Sequence, residues 1–407
     1  MYKEAFLRIC SAYVKQYRDH AFLFVFDWEK QKIIWDSNYI IKVNITDAEK
    51  VFEDIFRRWS LWLWESYCKW NIEADDDEYR EFVFIFVRIT YNKKLLWKLS
   101  LVDIARVLWA IRKKGYFSYG SQDKDINSHY SLSNWFDSNK DSNEFYLSWL
   151  NAKYIQYSCW KWDRWTQEVE EAQENKLNFY AKRLWIFKRE EWKTLLDLGC
   201  WWWWLMFYMA ENYGIKCKWL TLSLAQFEYV TAEIKRRWLQ DLVSVEVRNI
   251  HNMQWKYDYI VSVWVMEHVK DYNDLYKKIS KSLNKDWKTL IHSMFQESNK
   301  LTLADPFLLK YIFPGGWIPQ LKHNLKIFRK YFEYADPNEL PDKSYPKTLE
   351  CWYGTFCRKE KEIRKLLKEK SKVKDIDYAI RVYKHYLVSC YCWLYENWLV
   401  CNILAYN

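Results

Sequence analysis

The stretch Leu195-Leu-Asp-Leu-Gly-Cys-Trp-Trp-Trp-Trp204 decides the fold. Residues 195–198 have the short apolar run of a buried strand, end at a glycine, and lead into an apolar helix over 205–213. Working outward, the alternation repeats: strand 216–222, helix 224–238, strands 243–248 and 258–264, helix 271–283, strand 287–293. Strands separated by helices in this rhythm require parallel pairing, with crossover helices covering both faces. The fold class is therefore α/β, a doubly wound, mostly parallel Rossmann-like sheet. Helices at 145–153 and 167–186 precede it, residues 300–385 are mostly helical, and 395–405 can supply a last strand.

Toward the N-terminus the pattern changes. Residues 21–45 alternate loosely between apolar and polar with breaks near Asp27 and Asp36, which predicts short antiparallel strands. Residues 47–68 and 76–115 read as helices. The polar stretch from Lys113 to Ser133 holds two of the seven glycines and no long apolar face, so it reads as a linker. The expected organisation is a small N-terminal α/β domain over 1–115, a linker over 116–128, and a catalytic domain over 129–407.

Composition narrows the function. The 407 residues are 50% hydrophobic and 29% charged, which suits a globular chain with a large core. The ten cysteines are scattered, with one C-x-C at Cys390 and Cys392 and no C-x-x-C, so neither a disulfide framework, a zinc ribbon nor any other metal site is expected. No run reaches the roughly 18 apolar residues of a spanning helix, and no export signal is visible. A cytoplasmic protein is the expectation. The net charge of +10 favours an anionic partner such as a phospholipid surface or nucleic acid, without choosing between them.

The chemistry begins at the first strand of the sheet. An acidic residue, Asp197, two positions before Gly199 at a strand end matches the nucleoside-binding turn of S-adenosylmethionine (SAM) methyltransferases. A dinucleotide fold would want an acidic residue about 20 positions on to hold a ribose. Positions 219–222 are Trp-Leu-Thr-Leu, so NAD is not expected.

Further motifs extend the comparison along almost the whole chain: Ser60-Leu-Trp-Leu-Trp-Glu-Ser-Tyr67, Tyr157-Ser-Cys159, Glu171-Ala-Gln-Glu-Asn-Lys176, Leu196-Asp-Leu-Gly-Cys200, Ala210-Glu-Asn-Tyr-Gly214, Leu220-Thr-Leu-Ser223, Asp258-Tyr-Ile-Val-Ser262, Met266-Glu-His-Val269, Ile291-His292, Tyr311-Ile-Phe-Pro-Gly-Gly316 and Tyr386-Leu387. In this order they resemble the cyclopropane fatty acid synthases and their mycolic-acid-cyclopropanating relatives. The resemblance implies methylene transfer from SAM to a cis double bond of an unsaturated phospholipid acyl chain at an anionic membrane surface. It implies a peripheral location at the inner face of the membrane, no nucleic acid, and room for a homodimer. The alkene attacks the SAM methyl and leaves a carbocation, and a base must then remove a methyl proton. In the family that base is bicarbonate, and its pocket maps onto Cys159, Glu267, His292 and Tyr386, with the backbone of Met294. SAM contacts map onto Tyr157, Ser158, Asp197, Gly199, Trp201, Thr221, Leu222 and Gln226. Rival readings are a relative acting on another lipid or a small amine, and a non-catalytic lipid-surface protein if the tryptophans at 201–204 are literal.

Those tryptophans belong to a wider anomaly. A usual glycine content of about 7% would give roughly 28 glycines, whereas the chain has 7 glycines and 28 tryptophans. Asp27-Trp28 and Asp286-Trp287 stand where Asp-Gly turns are common. Trp59, Trp62, Trp64, Trp70, Trp192, Trp201, Trp203, Trp204, Trp219, Trp238, Trp264 and Trp287 fall where the resembling family commonly has glycine. This pattern reads as UGA codons that mean glycine in the source and were translated as tryptophan. Trp149, Trp202 and Trp352 are candidates for genuine tryptophan.

Overall fold

The structure, a computed structural model, describes residues 2–17, 20–27, 29–33, 40–58, 60–91, 135–136, 139–150, 153–199, 204–296, 305–332, 336–341, 343–396 and 400–406. The expected linker 116–128, the far part of the helix expected over 76–115, and Trp28, Trp59, Trp201, Trp202 and Trp203 lie outside these residues.

The chain divides into two compact units. The first comprises residues 1–119, 305–312 and 375–396, and the second 120–304, 313–374 and 397–407. The first unit is thus larger than a contiguous N-terminal domain, because it takes in two segments from far downstream. Its elements are α1 (Tyr2–Tyr17), β1 (Ala21–Phe26), β2 (Glu29–Ile33), β3 (Ile40–Ile45), α2 (Ala48–Arg58), α3 (Ser60–Cys68), β4 (Ile72–Glu73) and α4 (Asp76–Tyr91). The strands order as β2-β1-β3-β4. Contrary to the all-antiparallel expectation, β3 pairs parallel to β1, with Phe22 opposite Ile41, Phe24 opposite Val43 and Phe26 opposite Ile45. That register puts both buried apolar sets on one face, and period-two alternation does not reveal strand direction.

The second unit contains α5 (Asn139–Leu150), α6 (Val169–Arg183), β5 (Thr194–Leu198), α7 (Trp204–Tyr213), β6 (Lys216–Thr221), α8 (Leu224–Arg236), β7 (Val243–Val247), β8 (Tyr257–Val263), α9 (Tyr272–Lys281) and β9 (Leu283–Phe295). After α10 (Pro306–Tyr311) come α11 (Leu321–Phe328), β10 (Asp336–Glu339), α12 (Ser344–Arg358), α13 (Glu360–Lys370), α14 (Ile376–Tyr395) and β11 (Val400–Tyr406). Of these, α10 and α14 belong to the first unit. Arg381 of α14 ties them in: its guanidinium donates to the carbonyls of Tyr67 and Ile72 at 2.7 and 2.8 Å and lies 3.8 Å from the Tyr67 ring centre.

The seven-stranded sheet runs β10-β11-β9-β8-β5-β6-β7. Strands β5 to β9 are mutually parallel, while β11 and β10 add antiparallel at one edge. This is the expected doubly wound sheet. The strand order reverses between β5 and β8, so their carboxyl ends open a crevice, the usual ligand position in such sheets. Ile291 and Phe295 on one face of β9 join the core of Tyr272, Leu275, Tyr276 and Ile279 from α9. His292, on the other face, meets α6. The Asp286-Trp287 step is not a turn between elements. It lies inside β9, where pairing with β8 jumps from Leu283–Tyr257 to Lys288–Tyr259.

Backbone conformation bears directly on the tryptophans. Trp70, Trp185, Trp238, Trp255 and Trp264 all have left-handed backbones, with φ of 64°, 61°, 57°, 75° and 58°. Three of them follow helices in one repeated geometry. Trp70, Trp185 and Trp238 donate to the carbonyls of Tyr67, Lys182 and Lys235, and the next residues, Asn71, Ile186 and Leu239, donate to Ser66, Ala181 and Ile234. This is the Schellman cap, whose left-handed position is normally glycine. Gly214 provides the internal comparison, closing α7 at φ +67° with glycine in place. By contrast, Trp149 and Trp352 are fully buried core side chains, as are Trp64 and Trp219.

Candidate active site

Glu267, His292 and the glycine turn converge on the carboxyl-end crevice of the sheet. Gly199 follows β5 with φ +72°, and a Cβ there would meet Val265 Cγ2 at 3.2 Å. Its N–H donates to Leu220 of β6 at 2.9 Å, which pins the turn to the neighbouring strand. Asp197, two residues earlier, is fully buried. At the end of β6, the Thr221 hydroxyl donates to Gln226 Oε1 at 2.8 Å and accepts from the Ser223 N–H at 3.0 Å. Ser223 caps α8 by accepting from the Gln226 N–H. Leu222, between them, is half-buried. A glycine forced by both sterics and φ, a buried carboxylate and a strand-end hydroxyl–amide cluster suit a nucleoside at adjacent strand ends, so the residues fit SAM.

Glu267 lies in a short turn after β8. Its Oε1 accepts from Ser293 Oγ at 2.7 Å and from the Met294 N–H at 2.9 Å, which fixes the carboxyl against the end of β9. Its Oε2 is shut off from solvent and has no hydrogen-bond partner among the described residues. Burial raises the pKa of this carboxyl against the pull of those two donors, favouring the neutral acid. His292 is fully buried, and burial followed by the Lys176 ammonium holds its imidazole well below its ordinary pKa, so the ring is neutral. His292 Nδ1 is hydrogen-bonded to the Tyr180 hydroxyl, and Nε2 has no partner among the described residues.

Tyr157, Ser158 and Cys159 lie just before α6 and are all buried. Ser158 Oγ accepts from the buried Lys176 Nζ at 2.7 Å. Tyr157 packs in an aromatic nest with Trp149 and Trp352, ring centres 5.4 and 5.1 Å away. The Cys159 thiol donates to the Trp160 carbonyl at 3.3 Å. The segment therefore reaches His292 through α6, by way of Ser158 to Lys176 and Tyr180 to His292.

The tyrosine expected in the base set lies on a different unit from the other three residues. Tyr386 lies on α14 in the first unit, where its ring meets Tyr383 edge-on at 6.1 Å and its carbonyl accepts from Ser389. Glu267, His292 and Cys159 lie in the second. Among the described residues of the second unit, Tyr180 meets His292 directly and Tyr345 does so through Trp264. Tyr345, buried at the start of α12, meets the Trp264 ring at 4.9 Å, and that same ring lies 6.0 Å from His292. A tyrosine in the first turn of a helix after a polar loop was a visible but weak signal. The Trp204 ring packs among Tyr154, Phe207 and the Arg237 guanidinium. Trp201, assigned to the cofactor turn, lies outside the described residues.

Comparison with known proteins adds to this geometry. Residues 119–403 match the family described as mycolic acid cyclopropane synthetase. The chain belongs to that family. It is 28% identical over 239 residues to the cyclopropane-fatty-acyl-phospholipid synthase of Escherichia coli K12, covering 58% of each chain. It is also 28% identical over 216 residues to the (S)-coclaurine N-methyltransferase of Thalictrum flavum, covering 51% of this chain and 58% of that one. This member of the cyclopropane synthetase family thus spans somewhat over half the length of these curated relatives. Among solved structures, the cyclopropane synthase MmaA2 from Mycobacterium tuberculosis superposes with a TM-score of 0.61 at 22% identity, over 71% of this chain and 99% of that one. That likeness shows the shared fold.

Proposed function

We propose that this chain uses SAM to convert a cis double bond of an unsaturated phospholipid acyl chain into a cyclopropane, with bicarbonate as the base. The observation that carries the reading is a pair of buried polar atoms, Glu267 Oε2 and His292 Nε2, left without partners beside a glycine turn suited to a nucleoside. Buried polar groups are normally paired, and two unpaired ones at a strand-end crevice mark a place for a small polar guest. SAM, when bound, supplies an electrophilic methyl group. Gly199, Asp197, Thr221 and Gln226 would hold it, with Tyr157 and Ser158 closing the other side.

The chain's own task is to handle the proton lost as the ring closes. Burial disposes Glu267 toward its protonated form, in which Oε2 can donate, and His292 presents Nε2, so both can grip an oxyanion that serves as base. Tyr345 joins this set on the same reading, supported by its ring sharing Trp264 with His292. Among the described residues no helix is long and apolar enough to cross a membrane, and the net charge of +10 would hold the protein at an anionic lipid surface.

The test uses vesicles of phosphatidylglycerol and phosphatidylethanolamine with cis-monoenoic chains, methyl-labelled SAM, and mass spectrometry of the released acyl chains. Label in a cyclopropane acyl chain, lost on removing bicarbonate and restored by adding it, is the expected result. Label on the ethanolamine nitrogen would favour amine methylation of the kind named for the Thalictrum relative, and would overturn the proposal.

A further inference from the structure

Helix α6 buries one continuous stripe, Ala172, Gln173, Lys176, Leu177, Tyr180 and Ala181, the spacing of a single helical face. Two polar residues four apart on that stripe are unusual in a core and need partners. Lys176 finds Ser158 Oγ at 2.7 Å, and Tyr180 finds Nδ1 of His292, 112 residues away. The same imidazole leaves Nε2 without a partner among the described residues, as Glu267 leaves Oε2. A neutral imidazole carries one N–H, and which nitrogen holds it depends on whether the Tyr180 hydroxyl donates to Nδ1 or accepts from it.

We infer that Tyr180 is a positioning residue: its hydroxyl donates to His292 Nδ1 and so locks the ring as the Nε2–H tautomer, with that N–H directed to the anion site shared with Glu267. The inference rests on the anion-site reading above and goes further, by giving the histidine a donor role and naming the group that enforces it. Several features agree. The Lys176 ammonium lies 6.0 Å from the Tyr180 ring centre, and together with burial it disfavours a second proton on His292, so the ring stays neutral and the tautomer matters. With Nδ1 occupied by a hydroxyl donor, the ring cannot itself accept the substrate proton there. The imidazole then acts as a hydrogen-bond donor toward the base.

The experiment reads the tautomer directly in the full chain. Nitrogen-15 labelling of histidine, with His292→Asn used to assign the resonance, distinguishes Nε2–H from Nδ1–H by chemical shift. The wild-type chain is expected to show Nε2–H at His292, and Tyr180→Phe, which keeps the ring, is expected to lose that single-tautomer signature. In the same variant the bicarbonate concentration for half-maximal activity should rise at least fivefold, with SAM affinity unchanged. An Nδ1–H signal in wild type, or an Nε2–H signal equally dominant in Tyr180→Phe, overturns the inference. The wild-type measurement needs no variant, so a poorly folding Tyr180→Phe cannot shield the inference from a negative result. If bicarbonate has no effect on the wild-type enzyme, the base reading fails, and the nitrogen spectrum still decides the role of Tyr180.

Discussion

Replacing Trp238 with glycine should stabilise the protein, although it removes the largest side chain and adds the most flexible residue. Trp238 occupies the left-handed position of the cap that ends α8, at φ 57°, and it is 86% exposed, so little buried surface is lost with the indole. A Cβ in the left-handed region costs roughly 1–2 kcal/mol, which glycine avoids. Against this, glycine adds about 0.4–1 kcal/mol of unfolded-chain entropy. The net gain is about 0.5–1 kcal/mol, a rise of a few tenths molar in the urea midpoint for a slope of about 2 kcal/mol/M. Trp238→Ala is the control: it removes the indole and keeps the Cβ, so it should gain nothing. Trp70→Gly and Trp185→Gly should gain less, because their rings lie under Arg381 at 3.9 Å and Lys288 at 4.3 Å, contacts worth about 0.5 kcal/mol each at exposed sites. Equal midpoints for the glycine and alanine variants would refute the strain argument. The wider reading, that these positions are glycine in the source, is checked by peptide masses of the protein isolated from its own cells. Tryptophan masses there, or UGG codons at 70, 185, 238, 255 and 264, would refute it.

Other outcomes follow from the site. Glu267→Ala and His292→Ala should leave SAM binding nearly intact by calorimetry while lowering turnover by roughly 100-fold or more, the scale for losing a general base, here through the groups that hold it. Lost SAM affinity with no separate chemical defect would contradict their roles. Gly199→Ala should weaken SAM roughly tenfold or more, equivalent to about 1.4 kcal/mol, because a Cβ meets Val265 at 3.2 Å with φ at +72°. Asp258 supplies a pH dependence. Burial raises its pKa, but the Thr194 N–H and hydroxyl, Asn284 and Lys193 together hold it below the ordinary value. A depressed carboxyl stabilises the fold above its unfolded pKa of about 4 and loses that contribution as pH falls through its folded value. Wild type should therefore lose more stability than Asp258→Asn on acidification below about pH 4, read by urea titration at each pH.

The doubly wound sheet was legible because it is written in local terms. Apolar runs such as 195–198 and 257–263 and amphipathic helices such as α9 signal their state within a few residues. Gly199 marks the turn that only glycine accommodates. Even the tryptophan anomaly was legible as a composition, and the left-handed backbones at 70, 238 and 264 then supplied a physical reason for three of the listed positions, while Trp64 and Trp219 proved to be buried core side chains. What the chain did not show locally was anything set by packing at a distance. Strand β10, Asp336-Pro-Asn-Glu, has no apolar alternation and contains a proline, and it is a strand because it pairs with β11 at a sheet edge. The parallel direction of β3 against β1 left no mark in its period-two alternation, which reads the same either way. Tyr345 carried no mark in the sequence of its contact with Trp264, which the docking of α12 supplies. The hydrogen bond between Tyr180 and His292 joins residues 112 apart, on a helix and a strand whose docking brings them together. A helix or strand records its own periodicity in sequence. Which of its buried polar atoms meets which is decided by register and docking, and those are properties of the assembled core.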